Sequence, residues 1–113
     1  MVQVIYRPRL REVEALRLFA EKATSLLEEV IGATAEPVTA EWDRGENARM
    51  RSVVVLRLSD FSGSVTGIFD LEELEEPEEL SSRLRFLWGD LLQIRSGKLL
   101  ESLLRSESEE GDK

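Results

Sequence analysis

The stretch that decides the fold is SVVVLRL at positions 52–58, in which four apolar residues follow one another without a polar interruption. A strand with one face in water alternates apolar and polar residues. A short continuous apolar run is instead typical of a strand that is covered on both faces. Valine-rich segments also favour the extended conformation. We therefore predict a central β-strand at 52–58, with other elements packed around it.

Two alternating segments flank this run and predict a three-stranded antiparallel meander. Residues 38–43 alternate between apolar and polar side chains, and the sequence RGEN at 44–47 has the composition of a turn. Residues 65–69 alternate in the same way after a second turn at 59–63. The three strands are therefore expected to pair in chain order.

The N-terminal third predicts one strand followed by one helix. Residues 2–6 alternate, and Pro8 then removes a backbone donor, as expected where a short edge strand ends. From about residue 9 to residue 31 the apolar side chains recur with the period of a helix. Gly32 follows this segment, and glycine is the commonest residue just past a helix C-terminus.

A second helix is predicted to begin at Pro77, because proline suits the first helical turn and an apolar stripe follows it. Gly97 interrupts that stripe and predicts either a kink or the start of a short further helix. Residues 106–113 are acidic and carry no apolar side chain, so we predict a disordered tail there. A single domain is expected over 1–105.

The predicted order of elements is β-α-β-β-β-α, which indicates the α+β class. We expect a two-layer sandwich with a mainly antiparallel sheet and helices packed on one face. The length of 113 residues is that of one domain with a single hydrophobic core.

The composition excludes several kinds of active site. The chain has no cysteine and no histidine, which removes thiolate nucleophiles, thiolate zinc sites and the commonest general base. The sequence shows no nucleophile–base pair, no metal motif and no cofactor fingerprint. We therefore predict no catalytic residue, no metal and no cofactor.

The charge balance argues against nucleic acid as a partner. The formal net charge is -8, whereas binding to phosphates needs a basic face. The order α-β-β-β-α over residues 9–104 resembles that of double-stranded-RNA-binding domains, in which a basic helix N-terminus contacts phosphates. Glu78 and Glu79 stand where that resemblance requires lysines.

The sequence also predicts a cytoplasmic protein that does not cross a membrane. No run approaches the roughly 20 apolar residues that a membrane-spanning helix needs. Residues 1–11 lack the apolar region of a secretory signal.

Seven acidic residues, with no basic residue among them, lie just before the second predicted helix and in its first turn. We interpret this acidic patch mainly as a solvated helix entry, in which glutamates near the helix N-terminus meet the positive end of its dipole. A divalent cation is a less favoured alternative, because the spacing of an EF-hand loop is absent. A basic protein partner is another possible use of the same charge. The acidic patch consists of Asp70, Glu72, Glu73, Glu75, Glu76, Glu78 and Glu79.

The chain has more apolar side chains than a sheet of this size readily covers. Some point to the second face of the sheet, and others extend along the end of the last helix. We favour a homodimer that buries them over a monomer that folds its last helix across its own sheet. The predicted partner interface consists of Val53, Val55, Ile68, Phe86, Leu99, Leu100, Leu103 and Leu104.

These observations favour a noncatalytic interaction module, meaning a small acidic accessory or regulatory protein that self-associates or docks on a protein partner. The alternative is a small-ligand-binding domain or a carboxylate-only enzyme with a cleft between sheet and helices. In that alternative Trp42, Trp88 or Tyr6 form apolar walls, and Glu41 or Asp90 is a polar anchor.

Overall fold

A computed structural model of the chain describes residues 2–32, 37–71 and 77–111, with the side chains of the last helix described over 78–105. Within these ranges the elements are β1 (Val2–Tyr6), α1 (Pro8–Arg11), α2 (Glu14–Ile31), β2 (Val38–Glu46), β3 (Ser52–Asp60), β4 (Gly63–Phe69) and α3 (Pro77–Gly111). The predicted α+β class is confirmed. The order differs from the prediction by one additional short helix.

The four strands form one mixed sheet in the order β1-β2-β3-β4. The predicted meander is present, since β2, β3 and β4 pair antiparallel. β1 pairs parallel to β2, because the chain crosses from one to the other through α2 and re-enters the sheet in the same direction. The sheet is therefore not antiparallel throughout.

One face of the sheet supplies the core. The registers place Trp42 opposite Leu56, Ala40 opposite Leu58 and Val54 opposite Phe69, so that alternate positions of three strands share this face. All three helices contribute to the same buried cluster. Its members are Leu10, Leu16, Ala20, Ala23, Leu27, Ile31, Val38, Ala40, Trp42, Val54, Leu56, Leu58, Phe69, Leu80, Leu84 and Leu91.

The prediction of one helix over 9–31 is wrong at its start. α1 ends at Arg11 and α2 begins at Glu14, with Val13 in an extended conformation between them. Leu10 is fully buried and α1 packs against β2. The break thus allows α1 to direct Leu10 into the core while α2 runs in its own direction. Burial of Leu10 stabilises the fold more than a helix that continued without interruption through Val13 would.

The turn predicted at 44–47 lies a few residues later. β2 continues to Glu46, which pairs with Ser52, and the chain turns over 47–51. The Asn47 side chain organises this turn, because its Oδ1 accepts hydrogen bonds from the backbone N–H groups of Arg49 and Arg51. Asparagine commonly closes turns in this way.

α3 continues through Gly97 to Gly111 as one helix, so no separate helix begins where the sequence allowed one. The helical backbone therefore enters the segment 106–113. Residues 112–113 and the side chains after Arg105 lie outside the described part of the chain, and the disorder of 106–113 stays a prediction.

Gly67 allows α3 to approach β4 closely. A Cβ atom at this position would lie 2.5 Å from Cδ1 of Leu87. That distance is shorter than van der Waals contact, so any side chain at Gly67 has to displace Leu87 or the helix. The absence of a side chain at this strand position thus sets the distance between sheet and helix.

We predict that Gly67→Val lowers the free energy of unfolding by about 1–3 kcal/mol through overpacking against Leu87. Leu87→Ala removes the atoms that valine meets, so the double variant is expected to lose less stability than the two single variants added together. Urea denaturation of the four proteins measures this coupling. Gly97→Ala is the control, because its new Cβ meets nothing within 4 Å. Strict additivity would contradict the prediction.

Candidate interaction surface on the last helix

α3 consists of a packed first half and a second half that extends away from the body. Leu80, Leu84 and Leu91 are buried in the core, whereas every residue over 96–105 is exposed. A helix of 35 residues is about 52 Å long. The molecule measures 61 Å along its longest axis and 30 and 24 Å along the others. We call residues 96–105 the projecting segment.

A buried ion pair marks the point where α3 leaves the body. Arg95 donates from Nε and Nη2 to Oδ2 of Asp60, over 2.9 and 2.7 Å. The other oxygen, Oδ1, accepts hydrogen bonds from the backbone N–H and the hydroxyl of Ser62. The Asp60 side chain is 0% exposed and that of Arg95 is 14% exposed. The guanidinium also lies over the rings of Trp88 and Phe61, 5.4 and 5.7 Å from their centroids.

This arrangement favours the ionised form of Asp60. Burial alone raises the pKa of the carboxyl, but the hydrogen bonds from Ser62 and Arg95 outweigh that effect and hold the pKa below its ordinary value of 3.8. A carboxyl with a lowered folded-state pKa stabilises the fold above its unfolded-state pKa. That contribution is lost as the pH falls through the lower, folded-state pKa.

We predict that Asp60→Asn lowers the free energy of unfolding by roughly 3 kcal/mol at neutral pH, because Arg95 loses its charged partner. The difference between wild type and variant should be full above the unfolded-state pKa of the carboxyl and should shrink as the pH falls through the lower, folded-state pKa. Chemical denaturation at a series of pH values measures this difference.

Glu101→Gln is a suitable control, since Glu101 forms an exposed pair with Arg105 on the same helix. Exposed pairs contribute little to stability. Parallel acid dependence of wild type and Asp60→Asn would show that the Asp60 carboxylate does not have the proposed role.

One side of α3 carries a set of exposed apolar side chains, which we call the outer apolar face. Phe86 is 74% exposed, and the four leucines of the projecting segment are between 53% and 64% exposed. At 100° per residue no charged residue between positions 86 and 104 falls within this face, and the uncharged Gly89, Gln93 and Ser96 lie inside it. The face consists of Phe86, Leu92, Leu99, Leu100, Leu103 and Leu104.

A groove between α2 and α3 continues the outer apolar face onto the body. Its volume is about 650 Å³. Leu26 and Val30 of α2 form one wall, and Trp88 and Leu92 of α3 form the other, with Gly89 between them. Leu92 belongs both to the groove and to the outer apolar face. The groove and the projecting segment are thus parts of one surface.

The predicted partner interface is brought together only in part. The four leucines and Phe86 share the outer apolar face, and Phe86 lines a small pocket of about 200 Å³ with Ile68. Ile68 is 60% exposed on β4 and Val55 is half-buried. Val53 is only 1% exposed and therefore offers no side-chain surface to a partner.

Sequence reasoning missed the groove residues Leu26, Val30, Gly89 and Leu92. The spacing of seven residues between Leu92 and Leu99 was the available signal, since positions seven apart share one side of a helix. No comparable signal connects Leu26 or Val30 to α3.

The acidic patch is likewise divided. Asp70 is 7% exposed and accepts a hydrogen bond from Nδ2 of Asn47, while Arg51 lies 3.9 Å away. Glu78 and Glu79 are exposed in the first turn of α3. The remaining four acids, Glu72, Glu73, Glu75 and Glu76, lie outside the described residues.

The residues of the alternative ligand site do not converge on one cleft. Trp42 is fully buried in the core, and its Nε1–H has no hydrogen-bond partner among the described residues. Tyr6 donates from its hydroxyl to Oγ1 of Thr24. Glu41 accepts a hydrogen bond from Arg7 that holds the pKa of the carboxyl below its ordinary value. Trp88 and Asp90 line separate depressions on α3.

Among the side chains that the structure describes, over 2–32, 37–71 and 78–105, no three acidic groups come close enough together to hold a metal ion. Within the same ranges, no helix combines the length and apolarity needed to cross a membrane. No protein family, curated protein or solved structure matches the chain.

Proposed function

We propose that this chain is a noncatalytic protein–protein interaction module, a small acidic accessory or regulatory protein that binds protein through the outer apolar face of α3. The carrying observation is the exposure of Leu99, Leu100, Leu103 and Leu104 on a helix that extends beyond its own body. In this proposal the remainder of the fold is a two-layer sandwich that holds the first half of α3.

Helix energetics support the proposal. Most helical stability in proteins comes from burying an apolar face rather than from intrinsic helix propensity. The projecting segment has no cover within the described chain, since all its residues are exposed. A protein surface that buries the four leucines would stabilise the segment and remove apolar area from water.

The size of the outer apolar face also supports a binding role. Its six side chains expose on the order of 500 Å² of apolar surface, at the upper end of what monomeric proteins display. Amphipathic helices commonly bind partners by placing such a face into an apolar groove. The net charge of -8 is a separate source of solubility, since like-charged copies repel one another at long range.

We predict that a photoreactive amino acid at Leu103 forms covalent adducts with protein in living cells, because this position lies within the outer apolar face. Lys98 is the matched control position: it is exposed in the same segment but points to the other side of the helix. Gel mobility and mass spectrometry of the adducts read out both positions.

Adducts from position 103 and not from position 98 are expected, whether the captured protein is another copy of this chain or a different protein. The absence of protein adducts at 103, or equal adducts at both positions, would contradict a protein-binding role for this face.

A small-ligand-binding domain is the second candidate function, and the groove between α2 and α3 favours it. Its volume of about 650 Å³ is within the range of ligand pockets, and Trp88 gives it an aromatic wall. A ligand in this groove would change the fluorescence of Trp88 and would lose affinity in Trp88→Ala. Titration with a panel of small metabolites, with no fluorescence response that depends on Trp88, would exclude this candidate for the compounds tested.

A further inference from the structure

The outer side of α3 carries two rows of positions spaced seven residues apart. The first row is Ser82, Gly89, Ser96 and Leu103, and the second is Arg85, Leu92 and Leu99. Rows with this spacing form the seam along which two long helices pack side by side. The first row has small residues towards the body and a leucine at the tip, and the second row has an arginine towards the body and two leucines beyond it. This difference between the two ends decides which partner orientation fits.

In an antiparallel second copy of α3, leucine faces leucine at one level of the seam, and small residues face larger ones at the others. With the two-fold axis between residues 97 and 98, Leu92 faces the partner's Leu103, and Ser96 faces the partner's Leu99. Gly89 then meets the tip of the partner helix, where the absence of a side chain allows close approach. A parallel pair would instead place Gly89 against Gly89 and Arg85 against Arg85, so that like charges face each other at the body end of the seam.

The body has space for the partner helix at this location. The tip of an antiparallel partner helix would enter the groove lined by Leu26, Val30, Trp88 and Leu92. A Cβ atom at Gly89 would meet nothing within 4 Å, so the floor of the groove is open above this residue. The groove is therefore accessible from the side on which the seam lies.

The charges along the seam favour the antiparallel over the parallel arrangement. Arg85 lines the body end of the groove, together with Glu29 of α2. The sequence ending α3 contains three glutamates at 107–110. An antiparallel partner brings this acidic sequence to the level of Arg85, whereas a parallel partner would place the two acidic ends side by side.

Two-fold symmetry buries the same surface twice. In each copy the contact combines Leu92, Leu99 and Leu103 of the two rows with the walls of the groove. A different protein has to supply a matching apolar surface of its own. A second copy already carries one, because the same face is self-complementary across a two-fold axis.

We propose that the occupant of the outer apolar face is a second copy of this chain, with the two α3 helices packed antiparallel and the tip of each in the α2–α3 groove of the other. This inference rests on the proposed function and names its partner.

The first test compares the full-length wild type with Gly89→Leu and Gly97→Leu by light scattering and sedimentation over a range of protein concentrations. Both glycines are helical and neither new Cβ meets a neighbour within 4 Å, so each variant chain is expected to keep the wild-type fold. Gly89 lies on the seam and Gly97 lies outside it. The wild type and Gly97→Leu should dimerise, and Gly89→Leu should weaken dimerisation by about tenfold or more.

The second test uses cross-linking, which is straightforward because the chain has no cysteine of its own. Leu92→Cys and Leu103→Cys chains are mixed in equal amounts and oxidised. The antiparallel dimer links position 92 of one chain to position 103 of the other. Leu103→Cys alone should not link to itself, because its two copies are about 16 Å apart along the seam.

Self-linking of Leu103→Cys would show a parallel dimer and overturn the proposed geometry. A wild type that stays monomeric at all concentrations, or equal dimerisation of Gly89→Leu and wild type, would overturn a second copy as the occupant. The photo-cross-linking experiment in cells tests the proposed function separately. Adducts between position 103 and a different protein would support the proposed function even if this inference fails.

Discussion

The structure depends on a mismatch between the length of α3 and the surface that can cover it. The longest strands, β2 and β3, have nine residues each and extend about 30 Å, whereas α3 extends about 52 Å. Only the first half of the helix can therefore pack on the sheet. A helix that is longer than its sheet could end at the edge of the sheet, or it could carry polar side chains on every side beyond that edge. This one continues with four exposed leucines, and that combination is the reason for assigning it a binding role.

The boundary between the packed and projecting halves is set by Asp60 and Arg95. Their side chains are largely buried and joined by two hydrogen bonds, and Trp88 and Phe61 lie beside the guanidinium. A buried pair of this kind adds little net stability over apolar packing, but breaking it on one side is costly. The pair attaches α3 to the end of β3 at one defined residue, next to the point where the helix leaves the body.

Much of the fold could be predicted from short-range patterns. The apolar run at 52–58 indicated the central strand, and alternation indicated β2, β4 and β1. The break at Val13 could not be predicted, because it serves the burial of Leu10 against β2, a contact between distant elements. α3 likewise continues through Gly97, although glycine inside a helix costs about 1 kcal/mol relative to alanine.

The candidate site was predictable to a smaller extent. The four leucines are conspicuous in the sequence, but Gly89 and Ser96 acquire meaning only once α3 is known to be one helix. The pairing of Asp60 with Arg95 joins residues 35 positions apart and has no local signature. Val53 illustrates the opposite error: its strand position suggested an exposed second face, yet the fold covers its side chain.

The central claim is that the projecting segment depends on cover from another chain. Amide hydrogen exchange of the purified full-length protein, measured at low and high protein concentration, tests it most directly. We predict that amides over 98–105 exchange rapidly at low concentration and become protected at high concentration, while amides over 80–91 are equally protected at both. Protection over 98–105 that is strong and independent of concentration would contradict the claim.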